Sequence, residues 1–481
     1  MTSIDAIVVG SGPNGMAAAV TLARAGLSVT VYERASAIGG GARTAELTLP
    51  GFLHDVCSAV HPMALASPFF RAFGLSDRVP MVVPELSYAQ PLDGGRSGLA
   101  YRDIDRTAAE LGVDGPAWKR LFGPLAARAN DLAESTGSTM LRVPEHPILL
   151  ARFGLRMLEQ GSPDWNTRFR EDLAPALFTG VLAHAIRRLP SLSSAAAGLV
   201  LATHAHAKGW PIPVGGSQSI ITAMADDLIA HGGRIETDAS IETLAQLPSS
   251  RAVLLDTTPR AFLAMAGAAV PARYARTMKR FHYGSAVAKV DFALSGPVPW
   301  TDPRLAETAT LHVGGTRAEV AAGEREVAAG RHPESPYVLV SQPSAFDSTR
   351  APEGKHVLWA YTHVPRNSTV DRTEAMIRQI ERFAPGFRDL ILASASRTSV
   401  DVARYNPNYI GGDIASGDTD LVQLLRRPTF IDPWKTAVPG VYLASSSTAP
   451  GPGVHGLAGW NAAKSALRHE FGITTPPRLA P

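Results

Sequence analysis

The sequence predicts an α/β protein. A doubly wound, mostly parallel sheet is assembled from separated segments, and a second, α+β domain is inserted between them. Three observations predict this. A strand, a glycine turn, a helix and a second strand open the chain over residues 4–33. Strand and helix signals alternate again over 213–256. A strand, a Ser/Pro/Gly turn and a helix follow late, over 440–469. Parallel strands need such helical crossovers, so the pattern reads as one sheet built in instalments. Segments 1–70, 206–275 and 426–475 are then the sheet domain. Segments 71–205 and 276–425 are the inserted domain, and 476–481 is a tail.

The first unit is the clearest. Ile4-Asp-Ala-Ile-Val-Val9 reads as a short buried strand, and an Ala-rich helical pattern runs from about Asn14 to Ala25. Gly26 fits the left-handed position after a helix. Ser28-Val-Thr-Val-Tyr32 reads as the next strand and ends at Glu33. From about Phe69 to Ala205 the pattern is mostly helical, broken by Pro and Gly. A turn at Gly215-Gly216 leads to a helix through about His231, and a strand begins near Arg234. Ala252-Val-Leu-Leu-Asp256 and Gly440-Val-Tyr-Leu-Ala444 look like further buried strands, with a last helix from about Leu457 to His469. Residues 281–425 mix strands and helices, with loop-rich stretches at 295–304 and 330–354.

Composition narrows the function classes. A net charge of +3 with no dense basic run gives no footprint for nucleic acid. The single cysteine, Cys57, rules out an internal disulfide couple and reads as a buried, inert thiol. No stretch of about 18 apolar residues exists to span a membrane. The start runs straight into a strand pattern without a basic leader, so a cytoplasmic location is expected.

Gly10-Ser11-Gly12-Pro13-Asn14-Gly15 follows a strand and opens a helix, the context in which G-x-G-x-x-G binds a dinucleotide. Gly10 permits the tight turn, Gly12 leaves room for a pyrophosphate, and Gly15 lets helix and strand pack. The helix N-terminus offers unpaired N–H groups to the anion. Glu33, at the end of the second strand, is placed to accept hydrogen bonds from ribose hydroxyls and to repel a 2′-phosphate. Arg34 joins this set. Gly39-Gly40-Gly41-Ala42-Arg43 comes next, and its glycines and one fixed cation suit the pyrophosphate and a flavin. Pro450-Gly-Pro-Gly453-Val454-His455-Gly-Leu457 enters the last helix, whose N-terminus is suited to stabilise an anionic reduced flavin. No second glycine motif of this kind marks a separate NAD(P) domain.

These pieces resemble the FAD-dependent phytoene desaturase and amine oxidase superfamily, most of all its phytoene-desaturase-like branch. The resemblance rests on VVGSGPNGMAAAVTLARAGLSVTVYERASAIGGGART, PVGGSQSIITAMADDLIAHGGRIETDASI, NPNYIGGDIASGD and GVYLASSSTAPGPGVHGLAGWNAAKSAL, and covers nearly the whole chain. It implies a Rossmann-type, glutathione-reductase-like FAD-binding domain with an inserted substrate domain, and FAD held non-covalently. Glu33 would bind the adenosine ribose, and Gly10, Ser11, Gly12 and Asn14 the pyrophosphate. Gly40, Gly41 and Arg43 would lie along the flavin side. Ile241 would reach the adenine through its backbone, and Gly453 and Val454 would meet the isoalloxazine ring. Ser445, Ser446 and Ala449 depart from the pattern common before the last helix, which leaves a desaturase substrate unassigned.

The chemistry implied is hydride transfer between a carbon centre of a lipophilic small molecule and flavin N5, where orientation over the ring does most of the work. Oxygen, a quinone or another diffusible acceptor would reoxidise the flavin. His54, His61 and His455 are candidate bases, since imidazole titrates near neutral pH. His204 and His206 are too few to make a metal site, and no metal is expected. Residues 146–158, apolar with Arg152 and Arg156, read as a core helix of the inserted domain, with an interfacial helix in contact with a membrane surface as the alternative. Two other functions stay open: an amine or amino-acid oxidase, whose facing aromatic pair is not identifiable in the sequence, and a non-catalytic flavoprotein with a binding role. Desaturase, oxidase and isomerase are not separable here, and the oligomeric state is not legible.

Overall fold

The computed structural model describes residues 4–139, 143–165 and 167–481. Strand β1 (Ala6–Val9), helix α1 (Pro13–Arg24) and strand β2 (Val29–Tyr32) form the opening crossover. Gly26, at φ +83°, turns the chain out of α1. A five-stranded sheet places 441–443, 252–255, β1, β2 and 234–236 side by side, every pair parallel. Of the adjacent pairs described in this sheet, β1 and β2 alone follow one another in the sequence. The other three strands arrive from the middle and the late part of the chain.

Alternation along β1 decides which layer each side chain joins. Ala6 and Val8 face a core with α1, the helix Gln218–Ala230 and the last helix, Leu457–Phe471. Ile7 and Val9 face a second core with Phe262 and Met265 of the helix Pro259–Ala266. The alanines of α1 let the last helix come close: a Cβ on Gly459 would lie 1.7 Å from the Asn14 carbonyl oxygen. The tail packs onto the same layer, with Leu479 buried and the Ala480 carbonyl accepting from Arg24.

A second sheet has seven strands, in the order 391–397, 286–294, 356–364, 338–341, 310–313, 86–92, 96–101. It is antiparallel except where 310–313 meets 86–92. Its last two strands lie in a stretch that reads as helical in sequence. They form a hairpin closed by Asp93-Gly94-Gly95, with both glycines at positive φ. Strand 86–92 is buried at every position, so it shows no alternation to read. Helices 115–126, 147–161, 173–182 and 192–207 cover one face of this sheet, and 373–381 packs on the other.

Candidate functional site

One cavity of about 990 Å³ runs between the two sheets and is lined from both. The glycine loop, Glu33, residues 239–242 and the 452–457 turn line one arm; Phe153, Met157, Ile186, Val200, Leu201 and Leu424 line the other. Glu33 and Val454, far apart in sequence, face the same space.

The glycine loop is shaped by contact. Gly10 sits at φ +101°. A Cβ on Gly15 would lie 2.0 Å from the Gly10 carbonyl oxygen, and one on Gly12 would lie 2.6 Å from Asp256 Oδ2. Helix α1 begins at Pro13, which has no N–H, and Asp256 takes the Gly15 amide, so the Asn14 amide is the first-turn donor that faces a ligand. Asn14 is buried, and its Oδ1 has no partner. A helix N-terminus and glycines at which a Cβ would strike backbone or Asp256 together fit the pyrophosphate half of a dinucleotide.

Glu33 is held before any ligand arrives. Its Oε2 accepts from the Ser11 amide at 2.9 Å and the Ser11 hydroxyl at 2.6 Å, and its Oε1 accepts from the Ala35 amide at 2.9 Å. Arg43 Nη2 stands 3.4 Å from Oε1, so this cation leans toward the ribose acid as well as the flavin side. Arg34 is exposed and donates to the Tyr405 carbonyl. Gly40 and Gly41 sit in a tight corner, where a Cβ on Gly41 would lie 2.0 Å from the Tyr409 hydroxyl. Ile241 lines the cavity beside Ala239 and Ser240. Gly453 takes φ +137°, and the turn it makes carries Val454 to the cavity.

The three candidate histidines are all held neutral. His61 lines the cavity, and its Nε2 meets Ser217 Oγ at 2.7 Å; burial pushes it down to about 4. His455 accepts the Leu457 amide on Nδ1 at 3.1 Å and so caps the last helix, and burial pushes it down to about 4. His54 does not line the cavity: its Nε2 meets Thr48 Oγ1 at 2.8 Å, and burial, with Lys289 and Arg350 nearby, pushes it down to about 3. His206 is tied to Trp118 and to the Tyr101 carbonyl, and neither it nor His204 lines the cavity.

Several groups here escape a reading of the sequence alone. Trp359 and Tyr361 form an edge-to-face pair 5.0 Å apart on the cavity wall. Behind them a small side chamber is lined by Cys57, Lys289, Trp359, Tyr361, Arg397 and Tyr409. Cys57 is half-buried and lines both spaces rather than a core, and burial pushes its thiol up. Lys289 is buried and paired with Asp291; burial pulls the ammonium down and pushes the carboxyl up, which draws the pair toward neutrality. An acid and a base two positions apart in a strand otherwise apolar was the available signal. His184 also faces the cavity, with its Nε2 2.8 Å from Nε2 of the buried His312.

The sequence profile of flavin-containing amine oxidoreductases matches residues 14–467. Pyridine nucleotide-disulfide oxidoreductase domain-containing protein 2 of Rattus norvegicus is 26% identical over 559 aligned positions, covering 96% of this chain and 93% of that protein. Phytoene dehydrogenase of Streptomyces griseus is 26% identical over 432 positions, covering 81% of this chain and 78% of that one. Among solved structures, putrescine oxidase bound to putrescine superposes with a TM-score of 0.58 at 16% identity, covering 98% of this chain and 99% of that one. At that identity the likeness concerns the fold.

Proposed function

This chain belongs to the flavin-containing amine oxidoreductase family, and from that premise we propose that it is a dehydrogenase of a neutral, lipophilic small molecule. It is an FAD-dependent oxidoreductase. The observation that carries the finer reading is charge. The charged residues lining the cavity are Glu33, Arg34, Arg43, Glu242 and Asp256, all in the cofactor arm. Among the described residues lining the other arm there is no carboxylate to receive an ammonium group and no cation to receive an acid. Burying an unpaired charge there costs far more than burying an alkyl chain gains.

The residues divide the work as follows. The glycine loop and Glu33 hold the adenosine and pyrophosphate, and the 453–457 turn closes on the other end; FAD is held non-covalently between them. When bound, FAD supplies the acceptor for a hydride leaving a substrate carbon. Phe153, Met157, Val200 and Leu424 exclude water and orient an apolar chain, while the edge-to-face pair Trp359 and Tyr361 forms an aromatic corner of the wall. At the far end His184 presents Nδ1. His312 is buried with Nδ1 unpartnered, and an unpaired lone pair is cheaper to bury than an unpaired N–H. His312 therefore donates from Nε2, His184 accepts, and His184 keeps its proton on Nδ1, facing the cavity. A substrate oxygen fits that donor.

The five-stranded sheet with its helices is read as the cofactor half and the seven-stranded sheet with its helices as the substrate half. The helix Pro147–Gly161 supports entry from an apolar phase: Phe153 and Met157 line the cavity, whereas Ile148 and Leu155 on its other side are each 69% exposed. No helix among the described residues is long and apolar enough to cross a membrane, so this contact would be peripheral.

The Trp359–Tyr361 pair favours a second reading, an amine oxidase, since facing aromatics suit the carbon next to an amine. Anaerobic mixing separates the two. Neutral lipophilic alcohols and polyenes are expected to bleach the flavin absorbance, and putrescine and cyclohexylamine are not. Bleaching by the amines alone would replace the first reading with the second.

A further inference from the structure

Glu33 is not the only acid that ends a strand at the dinucleotide cradle. Asp256 follows the strand Ala252–Leu255, next to β1, and its carboxyl lies under the glycine loop. It is buried, yet it lines the cavity. Its Oδ2 accepts the Gly15 amide at 3.0 Å. That amide belongs to the first turn of α1, so Asp256 already occupies one of the donors that the helix end offers an anion. A Cβ on Gly10 would lie 3.1 Å from Asp256 Cβ, and one on Gly12 would lie 2.6 Å from Oδ2. The carboxyl therefore touches the backbone on which a pyrophosphate would rest.

The surroundings make this acid unlike Glu33. Glu33 has Ser11, Ala35 and Arg43 around its oxygens. On the glycine loop Asp256 meets only main chain. From β2 it feels Glu33, a like charge. From the 405–409 loop, Asn408 donates to the Asp256 carbonyl, not to its carboxyl. Arg43, the nearby cation, is engaged with Glu33. Among the described residues no Lys, Arg or His pairs with the Asp256 carboxyl. Burial above all, then the charge of Glu33, pushes Asp256 up to about 7 against the pull of the Gly15 amide.

We propose that Asp256 belongs to the cofactor site and must be a neutral acid when a pyrophosphate lies in the glycine cradle, so that binding FAD takes up one proton. This rests on placing the pyrophosphate at the glycine loop. Two phosphate charges arriving beside a buried carboxylate repel it; Arg34 and Arg43 line the same arm, but neither pairs with the Asp256 carboxyl, and Arg43 is turned to Glu33. The carboxylic acid form removes the repulsion. The sign follows by linkage. Below pH 7 Asp256 is already neutral and affinity is flat; above it, each pH unit leaves about a tenth as much competent protein, so affinity falls.

The experiment uses the whole protein stripped of FAD, titrated with FAD by flavin fluorescence and by calorimetry. FAD is expected to bind about tenfold more weakly at pH 8 than at pH 6, with uptake of about one proton at pH 8, counted from heats in two buffers of different protonation enthalpy. ADP-ribose, which carries the pyrophosphate without the flavin, is expected to show the same slope. Asp256→Asn is expected to flatten the profile and bind FAD about tenfold more tightly than the parent at pH 8. A flat parent profile with no proton uptake overturns the proposal, and so does a slope that survives in Asp256→Asn. Should the variant not fold, the proton count of the parent decides alone. Failure of FAD and ADP-ribose to bind at any pH would instead overturn the placement of the cofactor, and the proposal with it.

Discussion

Gly15 has no room for one more carbon. Its missing Cβ would stand 2.0 Å from a backbone oxygen that cannot turn away. Gly15→Ala must push α1 off β1, at a cost of about 1–3 kcal/mol, the usual range for overpacking. Because α1 carries the amides that face the cavity, loss of cofactor should exceed loss of fold. The variant is expected to purify colourless and stay so after incubation with FAD, with its far-ultraviolet circular dichroism intact. Retained yellow colour would show that the loop tolerates what its geometry forbids. Glu33 works through similar constraint: with Ser11 and Ala35 fixing both oxygens, it meets a ribose without first reorganising.

The segment 53–61 opens on a short strand, 53–55, paired antiparallel with 44–46, and one buried ion pair pins it. Asp55 accepts from Arg350 Nη2 at 2.7 Å, from Thr44 Oγ1 at 2.7 Å and from the Ser217 amide at 2.8 Å. Both charged side chains are buried. Removing one partner strands the other, so Arg350→Met is expected to cost about 3–5 kcal/mol. Adding Asp55→Asn should recover part of that loss, which chemical denaturation of the double-mutant cycle would show. Arg350 illustrates what the sequence hides: nothing local to the loop at 347–351 points to a partner nearly 300 positions earlier. The opening crossover was legible because its turn, helix and terminal acid all lie within about 30 residues. The hairpin at 86–101 was readable in principle, since Asp93-Gly94-Gly95 is a turn signal. A strand buried on both faces concealed it. The aromatic wall was beyond reach, because Trp359 comes to line one chamber with Tyr409 and Cys57 only after the second sheet has formed.

At the scale of the whole molecule, burial holds six imidazoles neutral. His54 and His184 are pushed down to about 3, and His61, His204, His206 and His455 to about 4, burial being the main cause in each. An unfolded chain protonates them near 6.5, so between about pH 6.5 and 4 it binds more protons than the folded one. Stability must then fall as pH drops through that window, by up to about 1.4 kcal/mol per pH unit for each group, and be flat above it as far as these groups go. Thermal unfolding from pH 8 to 4.5 should show Tm level at first and declining steeply below about 6.5. A Tm unchanged at pH 5 would mean these rings are hydrated.

The meeting of Gly459 with Asn14 sets a timetable for synthesis. On the ribosome the first wall of the nucleotide pocket emerges early, while the wall that must press against it is still untranslated. A nascent chain can present its glycine turn to the solvent but has nothing to shut over a guest. Retaining the flavin thus waits on the segment around 457–471, and a message broken before codon 457 would yield a product that cannot keep its colour.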